Sequence, residues 1–342
     1  MRNLLNFKDM DSRYSYNVLR LSQVSDPDAS VEPWRIADYR VIPQYVLFEQ
    51  LSELGVDLDR TTFSSLSEEI DTPEELTQAI ILENGLVGDI QEKVYLLLFE
   101  LWRRLVPEKQ SFSIFCDELD HQIDLYYHEN VENVEVLQDT VANMAVILDD
   151  NTDQGTDPLK VFSIIESASA HDVESFIYDF IADQIDNKND SYATELLDEF
   201  EAYMHKSKWF ELLQARVLAD SDPEESYGKL RQIVKKASQN QDLEFNYEVL
   251  FALVQEGDRD LFLNLVTRSL PLISNEEEFQ DLLIICAEFL HYHDQDSEET
   301  KVLAILKQRE QLPLSGPVDP KHSHFAMLLH VLKNPTCPTP KS

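Results

Sequence analysis

At 342 residues the chain exceeds a typical single core and suits two domains or one elongated array. Only 7 glycines are available for tight turns, which argues against a hairpin-rich β fold; the nearest pair, Gly85 and Gly88, is followed by no Gly-Lys-Ser or Gly-Lys-Thr, so neither a phosphate loop nor a dinucleotide fingerprint is present. Acidic residues outnumber basic ones 65 to 28, a formal net charge of −37, and such a surface repels nucleic-acid phosphates and anionic lipid while drawing basic partners and divalent cations.

Taken in chain order, the first forty-odd residues read as an irregular arm (1–43), interrupted by Pro27, Pro33 and Pro43, with a loop from Asp26 to Pro33 and with Trp34 and Tyr39 available to pack it onto the body. A helical bundle domain follows (44–150). Helical patterning starts near Gln44 and runs to Leu54. Asp71-Thr72-Pro73-Glu74-Glu75 is a helix start: Thr72 can cap, Pro73 suits the first turn and Glu75 closes a capping box. A long apolar helix is expected from Asp89 to Val106, stopped by Pro107, then helices over Ser111–His128 and Val131–Leu148. The run from Asp149 to Pro158 holds no apolar residue and is the expected boundary.

Beyond it, helix starts are expected near Leu159, His171, Tyr192, Lys208, Pro223, Asp242, Arg259, Asn275 and Ser297, which gives a repeat-like helical domain over 158–312. Asp222-Pro223-Glu224-Glu225 sets a cap, a proline and acidic first-turn residues in order; Ser274 and Glu277 suggest another capping box; Gly257-Asp258 reads as a stop followed by a new cap. A tetratricopeptide pattern is not met, because with Gly257 as the inter-helix glycine Phe262 falls where a small residue is required. The last segment, 313–342, is Pro-rich and expected to be partly disordered, with one short helix over Phe325–Leu332. The fold class is therefore all-α: a multi-helix bundle followed by an α-hairpin, solenoid-like array.

Three cysteines are too few for a disulfide framework. Cys116 and Cys286 look like small core residues, and a reducing compartment is expected. No apolar stretch follows Arg2 and Lys8, as a cleaved signal would need, and the longest apolar run, Val94–Phe99, cannot span a bilayer. A cytoplasmic location is expected, although an uncleaved secretion signal leaves no such trace.

Asp117, His121, Asp124 and His128 lie at i, i+4, i+7 and i+11, on one helical stripe, and are residue types that ligate zinc and related metals. Phe112, Phe115, Leu119, Ile123 and Tyr126 define the apolar face, which puts that stripe opposite the core, on the solvent side. Glu118-x-x-His121 and Glu288-x-x-His291 have the spacing used in di-metal bundles, but neither pair points at its core face. His291 and His293 suit a helix C-terminus, and His322-x-His324 lies in the Pro-rich segment. No Gly-x-Ser-x-Gly elbow occurs, and Cys116 and His121 face different ways. The expectation is that the protein is not an enzyme, with no catalytic, cofactor or metal residues assigned.

Charge is local. Ser111–His205 holds 23 acidic residues and two basic ones, Lys160 and Lys188, after which Lys229, Arg231, Lys235 and Lys236 form a basic stripe. Trp209-Phe210 fits helix packing and, equally by residue type, a binding hot spot. Together these features point to a protein–protein interaction protein docking a partner with a basic surface, with no direct nucleic acid and no membrane. The alternatives are a nucleic-acid mimic inhibiting a DNA- or RNA-binding protein and, more remotely, a metal-dependent enzyme on the 117–128 stripe.

Overall fold

The computed structural model describes residues 11–128, 134–205, 207–237, 241–256, 258–319 and 321–334. The fold is all-α. Among the described residues there are eighteen α-helices, and the one β-type pairing is an isolated bridge between Asn275 and Pro317. The chain divides into two compact units, Met1–Ile177 and Tyr178–Ser342, and the division falls within a helix, α10 (Val173–Asp186).

The first unit is built around α6 (Asp89–Leu105), in which every residue from Val94 to Trp102 is buried. A helix apolar on all sides must be surrounded, and α3 (Gln44–Glu53), α5 (Pro73–Asn84) and α1 (Asp11–Ser25) pack on it. Its apolar run ends at Glu100, which is wholly buried, so its charge needs partners. Arg103 and Arg104 supply them at 2.7 and 2.5 Å, and Arg104 also donates to the carbonyls of Tyr39, Arg40 and Ile42, fixing the loop before α3.

α5 starts as its sequence predicts: Thr72 Oγ1 accepts from the Glu75 amide at 3.1 Å, the Glu75 carboxylate returns to the Asp71 amide at 3.2 Å, and Gly85, at φ 63°, closes the far end. Between Leu54 and Asp71 the sequence reading assigns no helix, yet α4 (Arg60–Glu69) forms there, capped by Asp59 and seated by the fully buried Phe63. Lys109 satisfies the far end of α4 by donating to the carbonyls of Ser67, Glu68 and Ile70.

The N-terminal arm is a correction. From Asp11 to Ser25 it is helical, because Arg13 and Tyr16 seat α1 firmly: both are buried, and the Tyr16 hydroxyl donates to the Ala37 carbonyl at 2.6 Å. The short α2 (Pro33–Ile36) follows the Asp26–Pro33 loop. α7 (Phe112–Tyr127), α8 (Val134–Asp153) and α9 (Pro158–Ala168) pack mutually, so the polar run 149–158 lies inside this unit. There it completes α8, turns on Gly155 at φ 93°, and caps α9 through Asp157.

The second unit continues through α11 (Asp190–Phe200) into three hairpins: α12 (Ser207–Leu218) with α13 (Pro223–Ala237), α14 (Leu243–Glu256) with α15 (Arg259–Ser269), and α16 (Glu276–Tyr292) with α17 (Asp296–Arg309). The first helices pack in one layer, α12 on α14 on α16, and α13 packs on α15 in a second. Hairpins begin at Ser207, Leu243 and Glu276, roughly 35 residues apart. Aromatic rings run through the interior: Trp209 meets Tyr178 and Phe245 edge-on at 5.1 and 5.2 Å, and Phe262 stacks on Phe289 at 3.9 Å.

The capping box expected at Ser274 and Glu277 sits one residue later, on Asn275 and Glu278, with the amide of Glu278 3.0 Å from the Asn275 side chain. In the Pro-rich segment the short helix expected over Phe325–Leu332 forms, as α18 (Ser323–Lys333). Residues 314–318 run across the start of α16, where the Gly316 and Leu314 carbonyls accept from the amides of Glu276 and Glu277, donors a helix start otherwise leaves unpaired. Gly316 is required there, since a Cβ would lie 2.8 Å from the Pro313 carbonyl oxygen. α18 then packs on α15 and α17 and stacks Phe325 on Phe279 at 4.3 Å. Residues 335–342, including Cys337, and the expected helix start at 131–133 lie outside the described residues.

Phe262 is 1% exposed and stacked face to face, so Phe262→Ala removes a core ring without a polar alternative. The variant should lose about 3–5 kcal/mol, measured as a lower urea midpoint with an unchanged denaturant slope.

Candidate functional site

The stripe at Asp117, His121, Asp124 and His128 does not face solvent throughout. Asp117 is 3% exposed and Asp120 5%, His121 and Asp124 are half-buried, and only His128 is well exposed. Phe115, Leu119 and Ile123 do form the core face of α7, as its helical wheel indicates, but α1 covers the opposite face. Arg13 pairs with one Asp117 oxygen at 2.6 Å and Arg40 with the other at 2.7 Å, and Arg40 also reaches Glu118 at 2.9 Å. The Arg13 guanidinium lies 4.3 Å from the ring centres of both Tyr16 and Phe99, which accommodates a charge that ordinary polar partners do not fully satisfy.

These partners set the titration. Burial alone would push the Asp117 carboxyl up, but the two guanidiniums hold it down at about 2. Asp120 has no cation of its own: burial raises it to about 6, against hydrogen bonds from the Ala170 amide, the Asn17 side chain at 2.9 Å and the His171 amide. Burial lowers His121 and His171. Together with Asn17, Arg20, Arg40 and Asp124 these groups line a cavity of about 90 Å³, room for water molecules rather than for a substrate.

Asp117 has both oxygens committed to arginines, and Asp124 faces His128 at 3.5 Å. Among the described residues no three of the four stripe residues bring ligand atoms within 4.8 Å of one another. The geometry is that of a buried ionic clamp holding α1 and the Tyr39–Val41 turn on α7. Sequence reasoning missed Arg13 and Arg40, which lie 104 and 77 positions from Asp117. The one available signal was the run of Arg13, Arg20, Arg35 and Arg40 ahead of a segment almost without cations.

The other candidates also have local partners. Glu288 and His291 are exposed on α16, and His291 Nδ1 lies 3.2 Å from Glu299. His293 caps α16, with Nε2 2.9 Å from the Val254 carbonyl oxygen. His322 and His324 are not in a loose tail: His322 caps α18, and Arg309 Nη1 lies 3.5 and 3.3 Å from their Nδ1 atoms while its guanidinium grips the buried Glu276. Cys116 and Cys286 are buried thiols pushed well up by burial. Phe210 is core, whereas Trp209 is half-buried between Tyr178 and Phe245. In the basic stripe, Lys236 pairs with Glu211 at 2.7 Å and Arg231 lies over Tyr227.

The second unit carries an acidic belt on α10, α14 and α16, with α12 between them supplying Arg216. Arg216 on α12 pairs with Asp186 on α10 at 2.7 Å, and the Tyr178 hydroxyl donates to Glu248 on α14 at 3.1 Å. The Tyr247 hydroxyl donates across to the Glu278 carbonyl on α16 at 2.6 Å, near Asp281. Glu248 is raised by partial burial, with Asp179 and Glu244 adding to the rise against Tyr178 and Arg216. Asp281 is raised by partial burial and by Glu277 and Glu278. Burial is the main cause at both groups, and the neighbouring carboxylates add a negative local field that a cation relieves.

No protein family, curated protein or solved structure matches this chain. No helix among the described residues is long and apolar enough to cross a membrane.

Two outcomes follow from the clamp. Asp117→Ala leaves two arginines without their carboxylate and should cost about 3–5 kcal/mol, read by denaturant unfolding at neutral pH. Asp120 titrates in the opposite sense: its folded value lies above the ordinary carboxylate value, so its ionisation costs stability as pH rises from about 4 to 6. Relative to Asp120→Asn, the natural protein should lose on the order of 2–3 kcal/mol across that window. Parallel stability curves for the two proteins would contradict the assignment.

Proposed function

We propose that this protein is a helical scaffold that binds a protein partner carrying a basic surface, and that the acidic belt of the second unit is the dock. The observation that supports the reading is the set of outward carboxylates gathered there, Glu244 and Glu248 on α14 and Glu277 and Asp281 on α16, on half-buried or exposed helix faces. Charge of this kind steers encounter and selects partners by sign more than it supplies raw affinity. The acidic segment that stands out in the sequence contributes Asp179, Asp183 and Asp186, while Asp117 and Asp120 belong to the interior of the first unit and take no part.

The test is capture from host extract on the immobilised protein at low and high salt, beside a variant carrying Glu244→Gln, Glu248→Gln, Glu277→Gln and Asp281→Asn. A partner held at low salt, released at high salt and lost from the variant is the expected result. A partner retained by the variant contradicts a dock at this belt. Displacement of the captured protein by DNA would move the reading to nucleic-acid mimicry.

A further inference from the structure

The outward faces of α14 and α16 share a pattern that charge alone does not explain. On α14, Glu244 and Glu248 are followed by Phe251, and on α16, Glu277 and Asp281 are followed at the same spacing by Ile284. Both apolar side chains are large and unprotected, Phe251 at 44% and Ile284 at 41% exposure. The Tyr247 hydroxyl bonded to the Glu278 carbonyl joins the two helices, and Phe251 and Ile284 both lie on the C-terminal side of that bond, four residues past Tyr247 and six past Glu278. Two helices that pack on each other thus each present an exposed apolar residue, preceded by carboxylates on both and followed by Glu288 on α16.

A solvated acidic face gains nothing from an exposed phenylalanine and isoleucine at its centre, whereas a helix-in-groove interface needs an apolar anchor with charge around it. We infer that the α14–α16 face is the docking groove for a cationic amphipathic helix, whose apolar side chains lie on Phe251 and Ile284 and whose lysines or arginines pair with Glu248, Asp281 and Glu288. The inference rests on the basic-partner reading above and narrows it to one groove and one kind of segment. Charge complementarity selects the occupant: an acidic or neutral amphipathic helix would bury its apolar side against a field that repels it or leaves the carboxylates unpaired.

The experiment is fluorescence anisotropy of the full chain with a fluorescein-labelled amphipathic Leu/Lys helix peptide. A peptide of identical composition, scrambled so that leucines and lysines no longer segregate, serves as the control. The amphipathic peptide should bind more tightly than the scrambled one. The double variant Phe251→Ser/Ile284→Ser should weaken it about tenfold or more, and Glu248→Gln/Asp281→Asn/Glu288→Gln should flatten its salt dependence. The replaced side chains are partly or largely exposed, and an unchanged helical circular dichroism spectrum verifies that both variants fold. Equal affinity for the two peptides, or no loss on the Phe251/Ile284 variant, overturns the groove while leaving a general acidic dock. No binding of either peptide at low salt overturns the groove and the basic-partner reading together.

Discussion

Two arginines on one buried aspartate hold the first unit in shape. With 65 acidic residues and 28 basic ones, cations are the scarce component, and the fold places several of them where a carboxylate has been taken out of water. Arg13 and Arg40 meet Asp117, Arg103 and Arg104 meet Glu100, and in the second unit Arg309 meets Glu276. Each of these carboxylates is almost fully inaccessible, so each arginine is indispensable to it: removing either partner strands a buried charge. The same guanidiniums also bridge elements far apart in sequence. Arg40 and Arg104 together tie the turn at Tyr39–Val41 to α7 and α6.

The outward face of the second unit keeps cations of its own: Lys188, Lys208, Arg216 and Lys236 each meet a carboxylate there, while Asp281 lies beside Glu277 and Glu278. Helix pairs tolerate this because their cohesion comes from within, from rings such as Trp209, Phe245, Phe262 and Phe289, which do not depend on surface charge. The charge of the face and the stability of the core are therefore carried by different residues.

How far the sequence revealed this differed by feature. Helix starts with their own local chemistry were legible: Thr72 with Glu75, Asp222 ahead of Pro223, and Asp258 all cap the helices they precede. The Asn275 box was displaced by one residue because Ser274, Asn275, Glu277 and Glu278 offer overlapping patterns that only the backbone resolves. What could not be read locally was which polar face another element would cover. The wheel of α7 correctly found its apolar side, but an Asp/His stripe looks the same whether it meets water or two arginines from a distant helix. α1 escaped notice for the matching reason: prolines drew attention to its neighbourhood, and its anchors, Arg13 and Tyr16, acquire meaning only against α6 and α7. The belt was half legible, since Asp179–Asp186 fall within the acidic segment, while Glu244–Glu288 lie past it and join only through the layering of alternate helices.

The way the second unit ends bears on how such a chain can change in length. Stacked hairpins usually grow or shrink by duplicating or deleting one unit, each offering the next the same face. After α17 that face is spent: residues 314–318 have taken the amides at the start of α16, and Phe325 of α18 lies on Phe279. A hairpin copied at this end would have to evict both. The α16–α18 segment therefore closes the layer that α12, α14 and α16 build, and lifting Phe325 from Phe279 would reopen it.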